Sequence, residues 1–438
     1  MFHGKVKTSI LGGASITWIP IFMKDLSASE GMVGGEICLY DIDGEKLAIM
    51  AAFARKMLAE KRMDIAVTLA NTLDEALIGA DFVINTVLQG SHALWKDEMH
   101  ITLRYGIEQP KGMSVGPGGL AMGLRQIRWA VQVAQRMEQL CPKAWFLNFS
   151  NPMQTITLAV ERTTKVKYLG LCHGVMHTVS KMAELIGEDE SQINYTIGGA
   201  NHFEIITQFE RDGEDLLDKV AQACEDKQRK EGHSNEMITA ELYRLFDGYP
   251  CNEDIHTMEF LPYYIHKGTH LEQYEQTHNF VEKRIEGREA RWEEIREYLR
   301  DERTLEAVLP TNTERLEEII DAVCFNRPLY MYVNVTNRGY VSNLPNTMCV
   351  EVPVVIHRSG YQGVCVGELP KAVAALTALH GAVQDLTVDA ALNGDRHAAL
   401  QALSLDPMCF TLSMAERAAL LDELLAHIKN YIHPGLTG

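Results

Sequence analysis

A strand, a turn of small residues and a helix open this chain, and strand–helix alternation recurs through its first half. Lys5–Leu11 has strand character and leads into "GGAS", after which a helix begins near Thr17. Later apolar runs predict further strands, each followed by a helical segment, in "EICLYD", "IAVTL" and "FVINTV". Alternation of this kind favours parallel strands joined by crossover helices. The sequence therefore predicts an α/β protein built on a doubly wound parallel sheet.

The first turn and the end of the second strand carry residues that suit a dinucleotide. Gly12, Gly13, Ala14 and Ser15 would let backbone N–H groups approach a pyrophosphate, which the N-terminus of the next helix also attracts. Asp41 closes the second strand, where a carboxylate can accept hydrogen bonds from a ribose diol. Ala14 breaks the usual glycine pattern, and an aspartate here is often only a helix cap. In this context we predict a Rossmann-like domain that binds a nucleotide.

Polar side chains also follow the later predicted strands. Asn148 ends "KAWFLN", and Asn151 comes just before the helix that follows; Cys172 ends "YLGLC", and His202 ends "YTIGGANH". The carboxyl ends of parallel strands line the ligand crevice of an open α/β sheet. A thiolate and an imidazole from separate strands predict a divalent cation site with open positions. The alternative is a buried thiol and a hydrogen-bonded core histidine.

Arg125 emerges from the helix that follows a glycine-proline turn at Gly116–Gly119. The missing side chains in that turn permit close approach of a ligand. Arg125 is therefore either a substrate ligand or a solvated charge on a helix, and the sequence leaves both interpretations open.

The periodicity changes in the second half of the chain. Leu329–Val335 and Met348–Val355 predict two strands of a smaller sheet among polar helices. No linker separates the halves, so we expect a nucleotide-binding domain over residues 1–200 and an intimately packed α+β lobe over residues 201–438.

Charge and cysteine usage restrict the partners. A formal net charge of −18 argues against nucleic acid and anionic membranes. No apolar run is long enough to span a bilayer, and Met1–Leu11 lacks a signal-peptide pattern. The nine cysteines include no CxxC pair, which is typical of a reducing compartment. We expect a cytoplasmic protein that acts on a small molecule.

Several motifs, in order along the chain, resemble those of glycoside hydrolase family 4, the NAD- and metal-dependent glycosidases. They are "LGGAS", "LYDID", "GPGGLAMGLR", "NFSNPM", "GLCHGV", "GANHF", "EDIHTMEFLPYY" and "VSNLPN". Cys172 is followed by His173, which resembles the branch that acts on unphosphorylated α-glycosides. That branch includes α-galactosidases, α-galacturonidases and α-glucosidases.

The resemblance implies NAD and Mn²⁺ as cofactors and a retaining mechanism outside the two-carboxylate rule. The sugar is oxidised at C3 by hydride transfer to NAD⁺, deprotonated at C2, and loses its leaving group. Water then adds, and NADH reduces C3 again. The metal acts as a Lewis acid on the C2 and C3 oxygens. Relatives form dimers and tetramers, so a homodimer or homotetramer is expected.

By the same resemblance, Cys172 and His202 are the metal ligands. Asn148 lines the nicotinamide and Asn151 the sugar. His173 occupies the position of a polar group near the leaving oxygen, as a general acid or as a structural hydrogen-bonding group.

The base at C2 is expected to be Asp254, which aligns with an acidic position in part of the branch. His256, Tyr263 and Tyr264 are alternatives, and His256 is also a candidate substrate ligand. Ile255 stands where the galacturonidase motif carries arginine, which weakens the case for a carboxylated sugar.

Two other classes share the expected fold. A lactate- or malate-type dehydrogenase would consume free NAD⁺, but the Cys172–His202 pair would have no role in it. A nucleotide-sensing protein would bind NAD⁺ without catalysis. The glycosidase hypothesis gives a role to both Cys172 and His202.

Overall fold

The computed structural model describes residues 5–232 and 236–437. The strands are β1 (Lys7–Leu11), β2 (Glu36–Tyr40), β3 (Ala66–Leu69), β4 (Phe82–Asn85), β5 (Trp145–Asn148), β6 (Lys167–Gly170), β7 (Asn194–Ala200), β8 (Phe203–Arg211), β9 (Glu214–Asp215), β10 (Tyr249–Pro250), β11 (Leu329–Thr336), β12 (Cys349–His357) and β13 (Gly360–Gly363). The helices are α1 (Trp18–Leu26), α2 (Gly44–Glu60), α3 (Leu73–Leu77), α4 (His92–Arg104), α5 (Gly116–Leu140), α6 (Met153–Thr163), α7 (Gly174–Ile186), α8 (Leu217–Glu231), α9 (Met237–Phe246), α10 (Asp254–Thr257), α11 (Phe280–Leu299), α12 (Leu305–Val308), α13 (Leu316–Phe325), α14 (Lys371–Asn393), α15 (Arg396–Leu405) and α16 (Met414–Ile428).

The first six strands form a parallel sheet in the order β3-β2-β1-β4-β5-β6. The central residues of β1, β2, β4, β5 and β6 are buried, as expected of strands covered by helices on both faces, whereas the edge strand β3 is partly exposed. This is the strand order of dinucleotide-binding domains. The predicted doubly wound sheet is confirmed.

The second half extends this sheet instead of forming one of its own. β11 pairs antiparallel with β6 at Asn334 and Gly170, and β12, β7, β8 and β10 follow outward. The predicted smaller sheet is therefore wrong, since its two strands continue a sheet of 13 strands. The division at residue 200 stays a prediction.

The direction of the strand order reverses at β1. From β1 the chain first adds β2 and β3 on one side and then β4, β5 and β6 on the other, so the connecting helices leave on opposite faces. Open α/β sheets bind ligands outside the carboxyl ends of the strands at such a point. None of the described helices has both the length and the apolar character needed to cross a bilayer.

Candidate active site

A cleft of about 460 Å³ opens at this switch point. It is lined by residues of the first turn, the end of β2 and the segment after β5, among them Gly12, Ala14, Ser15, Asp41, Ser150 and Asn151. Its far wall comes from α4 and α11. The cleft thus brings most of the predicted nucleotide residues together with a predicted sugar ligand.

The first turn approaches the cleft through a backbone conformation that requires glycine. Gly12 has φ of +93°, and a Cβ there would lie 2.4 Å from Thr86 Oγ1. Gly13 does not line the cleft; both glycine N–H groups donate to the Tyr40 carbonyl, which fixes the turn on β2. A short turn of this shape leaves room for a pyrophosphate beside α1.

Asp41 lies at the mouth of this turn, where it was expected. Its carboxylate accepts from the backbone N–H of Ala14 at 3.0 Å and of Asp43 at 3.1 Å, so its position is fixed. The side chain is half-buried and lines the cleft, which leaves its remaining lone pairs available to a ligand.

Asn148 does not line the cleft, and its expected contact with the cofactor stays a prediction. The side chain is fully buried. Its Oδ1 accepts from Asn85 Nδ2 at 2.8 Å, and its Nδ2 donates to the Ser150 carbonyl at 2.9 Å. Asn148 therefore supports the segment that lines the cleft, because its amide has no free face toward it.

Cys172 and His202 meet as predicted. Cys172 Sγ lies 3.9 Å from His202 Nε2, although the residues come from the end of β6 and from the turn between β7 and β8. Within the described ranges no group of three or more His, Cys, Asp or Glu side chains is arranged to hold a metal. An ion between these two ligands would thus keep several positions open for a substrate.

The surroundings prepare both groups for a cation. His202 Nδ1 lies 2.7 Å from Ser114 Oγ, and in the tautomer that donates Nδ1–H to Ser114 the Nε2 lone pair faces the sulfur. Burial lowers the pKa of His202 to about 3, so the ring is neutral. Burial raises the pKa of the Cys172 thiol, which a bound cation would reverse. The Gly174 N–H at the start of α7 points at the sulfur at 3.4 Å.

The turn that carries His202 is held by buried carboxyl groups. His202 has φ of +68°, and its N–H donates to Glu204 Oε1 at 2.9 Å. Glu351 on β12 accepts from Asn201 and Asn334 at 2.8 and 2.9 Å. Burial and then the charge of Glu351 raise the pKa of Glu204. This network compensates for the left-handed backbone, which is uncommon for a residue with a side chain.

His256, proposed as a substrate ligand or base, packs against this pair. Its ring centroid is 4.1 Å from that of His202, and its Nε2 is 2.6 Å from Lys111 Nζ. Burial lowers the pKa of His256, so it is neutral, and burial also lowers the pKa of Lys111 to about 8. The His256 Nδ1 atom is buried and has no hydrogen-bond partner among residues 5–232 and 236–437.

Three residues of the candidate site have a buried polar atom that lacks a hydrogen-bond partner in the described chain. Asn151 Oδ1, Asn201 Oδ1 and His256 Nδ1 are all buried, and none has a hydrogen-bond partner within the described chain. Unsatisfied buried groups are costly and therefore rare. Sugar hydroxyl groups are the kind of donor that these atoms lack.

His173 extends beside this site from the start of α7. Its Nδ1 lies 3.0 Å from Glu314 Oε1, a carboxylate that is almost completely buried, while the imidazole itself is about half exposed. The hydrogen bond to Glu314 raises the pKa of His173. The arrangement suits a side chain that donates a proton.

Arg125 does not line the cleft, and its expected substrate contact stays a prediction. Its guanidinium is fully buried and forms a two-point ion pair with Glu98 at 2.8 and 3.1 Å. It also donates to the Gln89 carbonyl. Arg125 therefore joins α5 to α4 and is shielded from solvent, so it is not a solvated charge on a helix.

Asp254 has a structural contact that argues against its expected role as the base. Its two oxygens accept from the backbone N–H groups of Ile238 and Thr239 at 2.9 and 3.0 Å, so it caps α9. Tyr264 donates to Glu241, and Tyr263 is half exposed. Among the four candidates only His256 contacts the Cys172–His202 pair.

We expect Asp254→Asn to weaken the fold more than catalysis. An amide replaces one accepting oxygen with a donor, so one N–H of α9 loses its partner at a cost of about 1–2 kcal/mol. Burial raises the pKa of Asp254 to about 7 from the ordinary 3.8. A raised carboxyl pKa stabilises the fold most at low pH and progressively less as pH rises toward 7.

The stability deficit of Asp254→Asn should therefore be larger at pH 5 than at pH 8. Urea unfolding at both pH values measures it, and turnover per folded molecule at pH 7 should stay close to wild type. A severe loss of turnover with normal stability would return Asp254 to the active site.

Ser114, Lys111 and Glu351 are among the contributors that the sequence analysis missed. Ser114 and Lys111 lie in the segment before α5, which has no recognisable local pattern. Glu351 left a weak signal, since a lone glutamate inside the apolar run "CVEVPVV" is rarely buried without a partner.

Comparison with known proteins identifies the family. A model of the family 4 glycosyl hydrolases matches residues 7–188, and a model of their C-terminal domain matches residues 197–409. An alpha-galactosidase of Bacillus subtilis (strain 168) is 30% identical over 431 residues, which cover 96% of this chain and 97% of that protein. An alpha-galacturonidase of the same organism is 30% identical over 436 residues, covering 93% and 95%.

The fold has solved counterparts as well. A 6-phospho-alpha-glucosidase from gut microorganisms, solved in complex with NAD and Mn²⁺, has a TM-score of 0.83 at 21% identity. The match covers 98% of this chain and 99% of that one. The two family models together span most of the chain, in the order in which its motifs occur. The chain therefore belongs to family 4 of the glycosyl hydrolases.

Proposed function

We propose that this protein is an NAD⁺- and Mn²⁺-dependent retaining α-glycosidase of unphosphorylated sugars, with α-galactosides and α-galacturonides as the first candidates. The observation that carries the proposal is the 3.9 Å approach of Cys172 Sγ to His202 Nε2, beyond the ends of β6 and β7 of a sheet whose parallel half has the strand order of dinucleotide-binding domains. The related alpha-galactosidase and alpha-galacturonidase support the choice of sugars. The NAD and Mn²⁺ in the 6-phospho-alpha-glucosidase support the cofactors.

The cofactor residues fit their groups. The turn at Gly12 and Ala14 would hold the pyrophosphate, Asp41 the ribose, and Cys172 with His202 the metal. When bound, NAD⁺ supplies a hydride acceptor for C3, and Mn²⁺ supplies Lewis acidity toward the C2 and C3 oxygens.

The remaining residues orient the sugar and move its protons. Asn151 and Asn201 offer buried acceptors to hydroxyl groups. When Lys111 is neutral, His256 donates its Nε2–H to Lys111 Nζ, and the Nδ1 lone pair can then take the C2 proton. Burial lowers the pKa of Lys111 to about 8, which favours this neutral form. His173 protonates the leaving oxygen with the support of Glu314. After elimination, water adds and C3 is reduced again, so NADH does not accumulate.

Gly12→Ala should weaken NAD⁺ binding. The left-handed backbone and the contact of the new Cβ with Thr86 together strain the turn, and a strain of 1–3 kcal/mol corresponds to a dissociation constant raised by about 10-fold or more. Fluorescence titration with NAD⁺ measures the constant. Gly44→Ala is the matched control, since a Cβ at this first residue of α2 meets nothing within 4 Å. Equal NAD⁺ affinity in the two variants would contradict a pyrophosphate site at this turn.

A panel of nitrophenyl α-glycosides with NAD⁺, Mn²⁺ and a thiol reductant tests the function. Release of nitrophenol that requires both cofactors, without growth of NADH absorbance, supports the proposal. Stoichiometric NADH formation from a 2-hydroxy acid would instead establish a dehydrogenase.

The proposed location of the protein is the cytoplasm, and its proposed oligomeric state is a homodimer or homotetramer. All nine cysteines are free thiols, as expected in a reducing compartment. Sedimentation analysis measures the oligomeric state.

A further inference from the structure

Lys111 lies in the segment before α5, and hydrogen bonds fix its backbone on both sides. Its N–H donates to Glu259 Oε1 at 2.8 Å, and the N–H of Gly112 donates to the same oxygen at 2.8 Å. Its carbonyl accepts from Trp95 Nε1 at 3.0 Å. These contacts use the backbone alone and leave the amine of Lys111 for another partner.

That partner is His256. The Lys111 side chain is buried, and its Nζ lies 2.6 Å from His256 Nε2. Among the residues that the structure describes, this amine is the only hydrogen-bond partner of the His256 ring, because Nδ1 has none. A proton that the ring takes from a substrate at Nδ1 can therefore pass on to the protein only through Nε2, toward Lys111.

The surroundings of the amine suit it both as a neutral group and as an ammonium. Burial lowers the pKa of Lys111 to about 8, which makes the neutral form accessible near neutral pH. The ring of Phe280 lies 5.0 Å from Nζ and stabilises the ammonium by a cation–π contact. Among the neighbouring charges, those of Glu259, Glu253 and the Cys172 thiolate raise this pKa, and that of Arg284 lowers it. Lys111 can thus take up a proton and hold it.

The His256 ring is a poor place for the proton to remain. The ring packs against His202, with 4.1 Å between the centroids, and His202 is one of the two proposed ligands of a cation. A charge on a buried group is costly, and a second positive charge beside a cation adds repulsion. Release of the Nε2 proton to Lys111 keeps the ring neutral and moves the charge one hydrogen bond away from the metal ligands.

We propose that Lys111 is the final acceptor of the C2 proton, which His256 relays. The C2–H bond breaks as His256 Nδ1 takes the proton, and the electron pair stays on the sugar and then expels the leaving group. The Nε2–H bond breaks in turn, and its proton moves to Lys111 Nζ. The ring ends neutral with its hydrogen on Nδ1, and the amine ends as an ammonium. When water adds at C1, the reverse transfer returns a proton to C2.

The inference rests on the proposed function, and the pH profile of kcat/KM tests it with NAD⁺, Mn²⁺ and the nitrophenyl glycoside that wild type hydrolyses fastest. Only the neutral amine accepts a proton, so kcat/KM should fall about tenfold per pH unit below the pKa of Lys111. That pKa is about 8, and a bound cation would lower it. Lys111→Gln can accept a hydrogen bond from Nε2–H but cannot take up the proton. It should lose about 100-fold or more of kcat/KM at its optimum, and this dependence on pH should disappear.

Lys111→Arg separates proton transfer from charge. Arginine stays protonated, so this variant should be impaired as severely as Lys111→Gln, although it keeps the positive charge. Lys219→Gln is the matched control, because Lys219 is about half exposed and pairs with Glu188 at the surface. It should keep the wild-type profile. The affinities for Mn²⁺ and NAD⁺ should stay unchanged in all three variants.

NMR of protein labelled with ¹⁵N-histidine, loaded with NAD⁺ and diamagnetic Mg²⁺, reports the tautomer of His256 without turnover. The relevant signal is the one that His256→Asn lacks. It should change from the Nδ1–H to the Nε2–H tautomer as pH rises through the pKa of Lys111, and it should not change with pH in Lys111→Gln. Substantial activity of Lys111→Arg, or a wild-type tautomer that does not respond to pH, would overturn the inference. A wild type without glycosidase activity would refute the proposed function instead, so the two failures are distinguishable.

Discussion

Cys172→Ser is expected to abolish manganese-dependent turnover, and added Mn²⁺ should not restore it. The sulfur is one of only two protein ligands proposed for the ion, and a serine hydroxyl at the same position does not ionise readily to replace a thiolate. Loss of a group that merely supports a metal ligand costs about 10- to 100-fold in affinity or activity, so loss of the ligand itself should cost more than about 100-fold. The Mn²⁺ electron paramagnetic resonance signal reports binding directly, and nitrophenyl glycoside hydrolysis reports turnover.

Cys365→Ser is the control for the loss of a thiol. Cys365 is the exposed cysteine, its sulfur lies 3.9 Å from the Gly339 carbonyl oxygen, and it does not line the cleft. It should bind Mn²⁺ and turn over as wild type does. Full activity of Cys172→Ser, or undiminished Mn²⁺ binding, would remove Cys172 from the metal site.

The parallel half of the sheet was predictable because its signals are local. Each strand is a short apolar run, each is followed by a helical segment, and a crossover of that kind has one favoured hand. The antiparallel extension was not predictable. β11 and β12 are mostly apolar and buried on both faces, so their sequences indicate burial but not which strand edge they join.

Part of the candidate site was likewise predictable from the sequence, and part was not. The position of Cys172 and His202 was predictable because each residue follows a strand, and the end of a strand determines where the backbone of the next residue lies. Asn148 and Arg125 also follow predictable elements, but their side chains point into the core instead of the cleft. Asp254 is the first residue of the short helix α10. Whether such an acid caps a helix or faces a ligand depends on the position of α9, which lies earlier in the chain.

His256→Asn should lower turnover by about 100- to 10,000-fold, the range expected when a general base is removed. Asparagine can keep a hydrogen bond to Lys111 Nζ, but it has no nitrogen that accepts a proton at the position of His256 Nδ1. Mn²⁺ and NAD⁺ affinities should change little, because neither proposed metal ligand is altered. His270→Asn is the matched control, since His270 is mostly exposed and pairs with Glu108 at the surface.

A kinetic isotope effect distinguishes a base from a packing residue. Removal of the C2 proton should become the slowest step when its acceptor is missing, so substrate deuterated at C2 should show a larger primary effect in His256→Asn than in wild type. A residue that only holds the His202 ring in place would lower turnover through the metal site instead. In that case Mn²⁺ affinity would fall with turnover, and the isotope effect at C2 would stay as in wild type.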